Sequence, residues 1–466
     1  MHILIKNGMI LHENGRLYGD LRIRNGLIAE MGENLAAEDA RLVDATGQYL
    51  IPGGIDPHVH LHLRVNNIYS SDNFTSGSKA ALYGGTTTVI DFVTPEQSQS
   101  LTEALAQRKL DATGSYCDYS FHVSPVDLHP GIEQEILDCL SAGINSFKIY
   151  LAYKESIGID DQTLERIMYI IHEHGGMVTA HCEDGDAVES MRNQLFEAGK
   201  TGPENHPLSR PGIFETTSVE KLIKTGKKTG CPVYIVHVST QGSVEHIKKA
   251  QDQGQAVFAE SCPQYLLLDE SLYSPDTDTS IHHICSPPYR LQKDRNSIWK
   301  AISEGYIHTI GTDHCPFDLT VKQKFTNDFR KIPNGIGGIE HRMQLLFSEG
   351  VLTGKITLEK WLEICSGNAA KIFGLSNKGI LKSGFDADIV IWDPNYQETI
   401  SSERHHMNCD TNVYEGMVVK GKATQVFQRG IQLIQNGQLR DIEPTGRFIS
   451  RDQVDHLTLV NQIITN

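Results

Sequence analysis

Two histidines stand two residues apart in Asp56-Pro57-His58-Val59-His60, at the end of a short apolar run. In an extended chain, residues i and i+2 face the same side. Two imidazoles so placed can hold one metal ion. Four later apolar runs carry residues of related type. They are Lys148 in Phe147-Lys148-Ile149-Tyr150, His181 after Thr179-Ala180, His237 after Ile235-Val236, and Asp313 after Gly311-Thr312. Each has an ordinary reading taken singly. A strand-end histidine can be a hydrogen-bonded core residue, and an aspartate there can cap the next helix. A lysine inside an apolar strand is harder to place, because it needs a partner or a changed charge. Six such residues at the same end of five runs argue against coincidence.

The elements that must position them are short strands alternating with helices. Eight runs qualify: 54–60, 87–93, 119–123, 146–151, 177–181, 233–238, 256–260 and 307–313. Helical spacing fills the intervals, as in Leu164–His174 and Val219–Thr229. This alternation implies βαβ units and a parallel sheet. Eight units in residues 51–374 predict a closed (β/α)8 TIM barrel, an α/β fold with its active site at the strand C-termini. An open doubly wound sheet is the alternative, but no GxGxxG follows an early strand.

Both ends of the chain read as short strands. Asn7-Gly8, Asn14-Gly15 and Asn25-Gly26 mark turns near the start. Later, Ala387–Trp392 runs into Pro394, and 417–420 and 424–429 alternate around Gly421-Lys422. Residues 1–50 and 375–440 are expected to form one small composite β-sandwich domain. Residues 441–466 read as a polar tail available for oligomer contacts.

The chain of 466 residues has a net charge of -16, which argues against nucleic acid or an anionic membrane as partner. Hydrophobic residues make up 39%, enough for a large core. The start MHILIKNGMI lacks a leader pattern, and no apolar stretch is long enough to span a bilayer. Nine scattered cysteines without a CxxC pair read as reduced thiols of a cytoplasmic protein.

The set His58-x-His60, Lys148, His181, His237 and Asp313 in Gly-Thr-Asp-His resembles the cyclic amidohydrolases of the dihydropyrimidinase/hydantoinase family. The resemblance covers nearly the whole chain. It implies that Lys148 is carbamylated (N6-carboxylysine) and bridges two divalent metal ions. One ion would be held by His58, His60, the carbamate and Asp313, and the other by the carbamate, His181 and His237. Zinc suits these ligands best, with manganese or iron also fitting. A bridging hydroxide would attack the ring amide, with Asp313 as proton acceptor and donor. The expected reaction opens a 5,6-dihydropyrimidine or 5-substituted hydantoin to an N-carbamoyl amino acid. Resemblance further implies a homotetramer or homodimer.

In the same family a tyrosine five residues past the lysine supplies the oxyanion donor, a role that falls to Tyr153. Cys285-Ser286-Pro287-Pro288 and Lys331-Ile332-Pro333-Asn334-Gly335 resemble its two substrate loops, which assigns backbone contacts to Ser286 and Asn334. Val65, Tyr150 and Ile157 are candidates to meet the exocyclic substituent. Asn66-Asn67-Ile68-Tyr69 departs from the usual Gly-rich loop. Dihydroorotases carry arginine where this chain has His62, with Arg64 two residues on, and allantoinases lack the tyrosine. These two remain alternative activities. A non-catalytic scaffold of the same fold is the other reading, disfavoured because all six ligand positions are filled. His172 and His174 are expected at a helix end, and His282-His283 and His405-His406 on the surface or in loops. His314 is a candidate to support the ligands from behind, and Cys182 and Cys315 are expected to face away from the centre.

Overall fold

Eight apolar runs alternating with helices need a structure that buries strands on both faces. The computed structural model describes residues 2–12, 15–65, 67–96 and 98–464. Its central sheet contains Gly54–Val59, Thr86–Val93, Asp118–Val123, Ser146–Tyr150, Met177–His181, Val233–Ile235, Val257–Ser261 and Thr309–Ile310. These are the eight runs read from the sequence, with ends moved by a few residues. They are hydrogen-bonded neighbours in chain order. Every residue in them is buried, as parallel strands covered on both faces require.

The sheet closes on itself. Val59 bridges to His314, Asp313 N–H donates to the His58 carbonyl at 2.9 Å, and His60 N–H donates to the His314 carbonyl at 2.9 Å. The eighth and first strands therefore meet at the rim that carries the chemistry. The helices follow from amphipathic spacing. Asp161–Glu173, for example, is capped by Asp160, whose carboxylate accepts from Thr163 N–H at 2.8 Å. It buries Leu164, Ile167, Met168, Ile170 and Ile171 on one face.

The terminal segments join in one nine-stranded mixed sheet. The link is Tyr49–Pro52, parallel to His2–His12 and antiparallel to Ile389–Thr399. Ile3, Ile5, Leu21, Ile23, Leu50, Ile389, Ile391 and Phe427 form its core. The Asn25-Gly26 turn lies between two of its strands. Asn7-Gly8 instead sits inside His2–His12, where the register with the next strand shifts. The expected turn at Asn14 and the loop position Asn66 lie outside the described residues. Gly421 lies between the two alternating segments read from the sequence, which the fold joins. It sits within one continuous strand, Val418–Gln428, opposite a break in register between Asp393 and Gln397. Its φ is +84°, and a Cβ there would lie 2.6 Å from Phe347 and 2.7 Å from Trp392. Glycine is present because the strand bulges against two rings, not because it reverses.

Residues 441–464 do not hang free. Gly446 N–H donates to Ser115, Tyr119 N–H to Arg447, Ile449 N–H to Tyr119, and Arg451 N–H to Gly143. This segment lies along the N-terminal ends of the third and fourth strands, the floor of the barrel. The Arg451 guanidinium is buried there, donating to Ser146 Oγ at 2.7 Å and to the Phe121 carbonyl. Helix His456–Ile464 then packs Val460 into the core cluster that holds Ile55, Phe258 and Phe373. Among the described residues, no helix is long and apolar enough to cross a membrane.

Candidate metal centre

His58 and His60 follow each other at the end of the first strand, with side chains on the same side of it. Their Nε2 atoms are 3.3 Å apart, and each lies 3.1 Å from Asp313 Oδ1 at the end of the eighth strand. His181 ends the fifth strand and His237 follows the sixth. The His181 and His237 ring centres are 4.6 Å apart, and His237 is 5.5 Å from His58. Lys148, 1% exposed, projects from the fourth strand onto the same rim. The six residues predicted to converge are thus brought together across five strands.

Backbone geometry aims them. His237 and Asp313 have φ of +40° and +54°, and Tyr153 has +57°. Left-handed backbone costs a side-chain-bearing residue about 1–2 kcal/mol. Three such residues around one cavity indicate that packing holds the chain in sharp turns there. The turn at Asp313 also ends the strand alternation, so Cys315 lines the cavity rather than facing away from it.

The donors suit a cation. His60 Nδ1 is buried without a hydrogen-bond partner. Burial pulls His60 down to about 4, lowers His181, and drives His237 well below the ordinary imidazole range. Neutral imidazole is the form that binds metal. Burial also opposes charge on His58, but Glu260 and Asp313 outweigh it and raise the ring to about 9. Lys148 makes no hydrogen bond or ion pair among the described residues. Its Nζ lies 4.8 Å from the Phe92 ring centre and 5.2 Å from that of Tyr150. Burial lowers its pKa to about 8 against weaker support from Asp313 and Glu260.

Sequence reasoning missed the residues that hold these ligands. Glu260, in the seventh strand and fully buried, accepts from His58 Nδ1 at 2.6 Å, from Tyr234 Oη at 2.8 Å and from His237 N–H at 3.3 Å. Glu183 contacts His181 Nε2 at 2.8 Å and is paired with the buried Arg210. Such partners fix ring orientation at metal sites. The signal was a glutamate at one strand end and another two residues past a ligand. His314 is buried with Nε2 3.0 Å from Asp72, while its Nδ1 accepts from Gly338 N–H at 3.1 Å. It braces the loops behind Asp313.

A cavity of about 1370 Å³ opens above the six residues. Tyr153, Ser286 and Asn334 line it, as do Val65, Tyr150 and Ile157. The Tyr153 ring is 5.3 Å from that of His181. Burial raises its phenol above the usual range, and Arg210 opposes this only in part. Ser286 Oγ is buried without a partner. The backbone N–H and C=O groups of Ser286 and Asn334 make no hydrogen bond among the described residues. Arg64 points to Glu96 at 2.7 Å, and His62 stacks on Tyr69 with ring centres 4.5 Å apart.

The remaining histidines lie elsewhere. His172 and His174 fall at the end of helix Asp161–Glu173, with His174 3.4 Å from Glu133. His406 pairs with Glu340 in a loop. His283 differs from the surface expectation. It is buried and its pKa falls to about 4 for that reason, because the loop before Ser286 packs it against Tyr289.

The family described as "Amidohydrolase family" matches residues 49–438. The chain is 38% identical over 452 residues to a D-hydantoinase of Geobacillus stearothermophilus, covering 96% of each. It is 37% identical over 457 residues to a D-phenylhydantoinase of Escherichia coli (strain SE11), covering 97% of this chain and 98% of that one. Among solved structures, the dihydropyrimidinase from Brevibacillus agri NCHU1002 superposes with a TM-score of 0.95 at 38% identity, covering 97% of this chain and 99% of that one.

Proposed function

The chain belongs to the amidohydrolase family, and on that premise we propose that it hydrolyses the ring amide of a 5,6-dihydropyrimidine or a 5-substituted hydantoin to an N-carbamoyl amino acid. One observation carries the reading: a buried, unpaired Lys148 shares its barrel rim with four imidazoles and Asp313.

In this reading the neutral Lys148 amine would add to carbon dioxide and lose a proton, giving a carbamate whose oxygens could help hold two divalent ions. His58, His60 and Asp313 would hold one ion, and His181 and His237 the other. Zinc suits this set best, with manganese or iron also fitting. Bound there, the ions would supply water ionised near neutral pH and polarise the amide carbonyl.

The protein's own groups do the rest. Burial keeps a usable fraction of Lys148 neutral near pH 7, the form that carbamylation consumes. Tyr153 stays protonated in its buried position and donates its phenolic hydrogen to the developing oxyanion. Asp313 accepts the proton of the attacking water and returns it to the leaving ring nitrogen. The free backbone groups of Ser286 and Asn334 hold the ring's imide. Val65, Tyr150 and Ile157 meet its substituent. The pairing of Arg64 with Glu96 leaves it poorly placed to hold a substrate carboxylate, which speaks against dihydroorotate.

We assign residues 1–50 and 375–440 to one β-domain and 51–374 to the catalytic barrel. The nine free cysteines suit a cytoplasmic setting, and a homotetramer or homodimer is the expected assembly. The test is turnover of dihydrouracil, hydantoin, phenylhydantoin, allantoin and dihydroorotate by protein expressed with zinc and bicarbonate. Two metals per chain and preference for the first three support the proposal. Metal-free protein, or preference for the last two, refutes it.

A further inference from the structure

The cavity-lining loops that carry Ser286 and Asn334 come from separate parts of the chain, yet they are tied together at one point. That point is Lys322, at the end of the short helix Leu319–Lys322. It is 3% exposed. Its Nζ donates to the Ile284 carbonyl at 3.1 Å and to the Gly335 carbonyl at 2.7 Å. Ile284 lies two residues before Ser286, and Gly335 directly follows Asn334. Gly335 N–H closes the same junction by donating to the Ile284 carbonyl at 3.0 Å.

No carboxylate lies within ion-pair distance of Lys322 among the described residues. The groups around it are the thiols of Cys285, Cys315 and Cys409, and His283. Burial therefore costs this ammonium without an ion pair in return, and lowers its pKa to about 8. A cation retained under that penalty, with its hydrogen bonds directed at two loop carbonyls, has a positioning task that a neutral side chain of similar length would not perform. The junction is also rigid on its other side. Gly335 has φ +151°, and a Cβ there would lie 2.2 Å from the Cys315 carbonyl oxygen. Beside this clamp, Ser286 and Asn334 line the cavity, and their backbone groups make no hydrogen bond among the described residues.

We propose that Lys322 is a positioning residue that sets the spacing between the Ser286 and Asn334 loops, and so determines how tightly the ring's imide is held. This rests on the ring-opening reading above. Lys322 touches neither the reacting atoms nor the ligands, so its removal acts on substrate binding before it acts on the metal centre.

The test compares Lys322→Met and Lys322→Arg with wild type, using dihydrouracil and its N3-methyl derivative, which lacks the imide hydrogen. Lys322→Met is expected to raise KM for dihydrouracil about tenfold, the equivalent of one lost hydrogen bond to the ring. Metal content should not change. Wild type's preference for dihydrouracil over the N3-methyl compound should shrink at least about fivefold. Lys322→Arg, which keeps a cation and two donors, should restore part of both. Simple destabilisation would lower activity on the two rings in equal proportion, and that result overturns the proposal, as does an unchanged KM in Lys322→Met. If Lys322→Met does not fold, the neutral Lys322→Gln decides: an unaltered KM together with unaltered ring preference overturns the proposal, and a shift in both supports it. A wild-type enzyme inactive on every ring would overturn the functional reading itself; wild-type turnover with indifferent Lys322 variants overturns this inference alone.

Discussion

Glu260 Oε1 lies 2.6 Å from His58 Nδ1 and 3.3 Å from the backbone nitrogen of His237, so one buried carboxylate orients two of the candidate ligands. The neutral amide of Glu260→Gln keeps the shape but weakens the hold on the His58 ring. Loss of such a partner typically weakens metal binding about 10–100-fold. Competition with a chelator should show that fall, with circular dichroism unchanged. Metal retention equal to wild type would leave Glu260 with a packing role only.

Removing the Lys148 amine deletes the group that carbamylation needs. Lys148→Ala should bind fewer than two metals per chain and lose turnover. Short carboxylic acids, which can occupy the vacated space as bridging anions, should restore part of both. Metal analysis with and without propionate checks this, and full activity without the acid would rule the carbamate out.

Tyr153→Phe removes a donor without touching the ligands. Loss of one oxyanion donor costs about 10²–10³ in kcat. Steady-state kinetics should show that fall at unchanged metal content. A fall in bound metal would instead mark Tyr153 as part of the cage.

Arg210 and Glu183 form a buried pair behind His181. The Arg210 guanidinium is the main influence holding the Glu183 carboxyl near 2 against burial. Arg210→Met takes away that carboxylate's main counter-charge, a change worth about 3–5 kcal/mol. Thermal unfolding should show a lowered Tm, and the double variant Arg210→Met/Glu183→Gln should recover much of it. Failure of the second substitution to help would contradict a charge-based explanation.

The terminal segment is expected to be structural. A chain stopped after Thr445 loses the strand contacts made by Arg447 and Ile449 and the buried Arg451 and Val460. Its Tm should fall by about 5 °C or more. An unchanged melting curve would show the segment to be dispensable.

The six candidate ligands were readable as a group because the histidines and Asp313 close apolar runs and Lys148 interrupts one, and strand periodicity places such residues on one rim. Glu260 was equally visible as a strand-end residue, but its role depends on which neighbour it reaches across 202 positions of sequence. Lys322 gave no signal, since four-residue helices carry no periodicity and its partners are backbone carbonyls. Cys315 was misread because alternation stops where Asp313 turns left-handed. Polar composition hid the packing after residue 440, where buried Arg451 makes its hydrogen bonds to a hydroxyl and a carbonyl rather than to an acid.

The floor contact has a consequence for assembly. Arg451 reaches Ser146 across 305 residues, and Ser146 Oγ in turn meets His122 at 2.6 Å, whose other nitrogen lies 3.0 Å from the Pro57 carbonyl beside His58. Strands emerging early from the ribosome must therefore wait for a partner translated hundreds of codons later. Contacts of such separation are slow to form, which leaves the half-built barrel open below. The floor of the barrel is therefore completed only once the last stretch of the chain has been made.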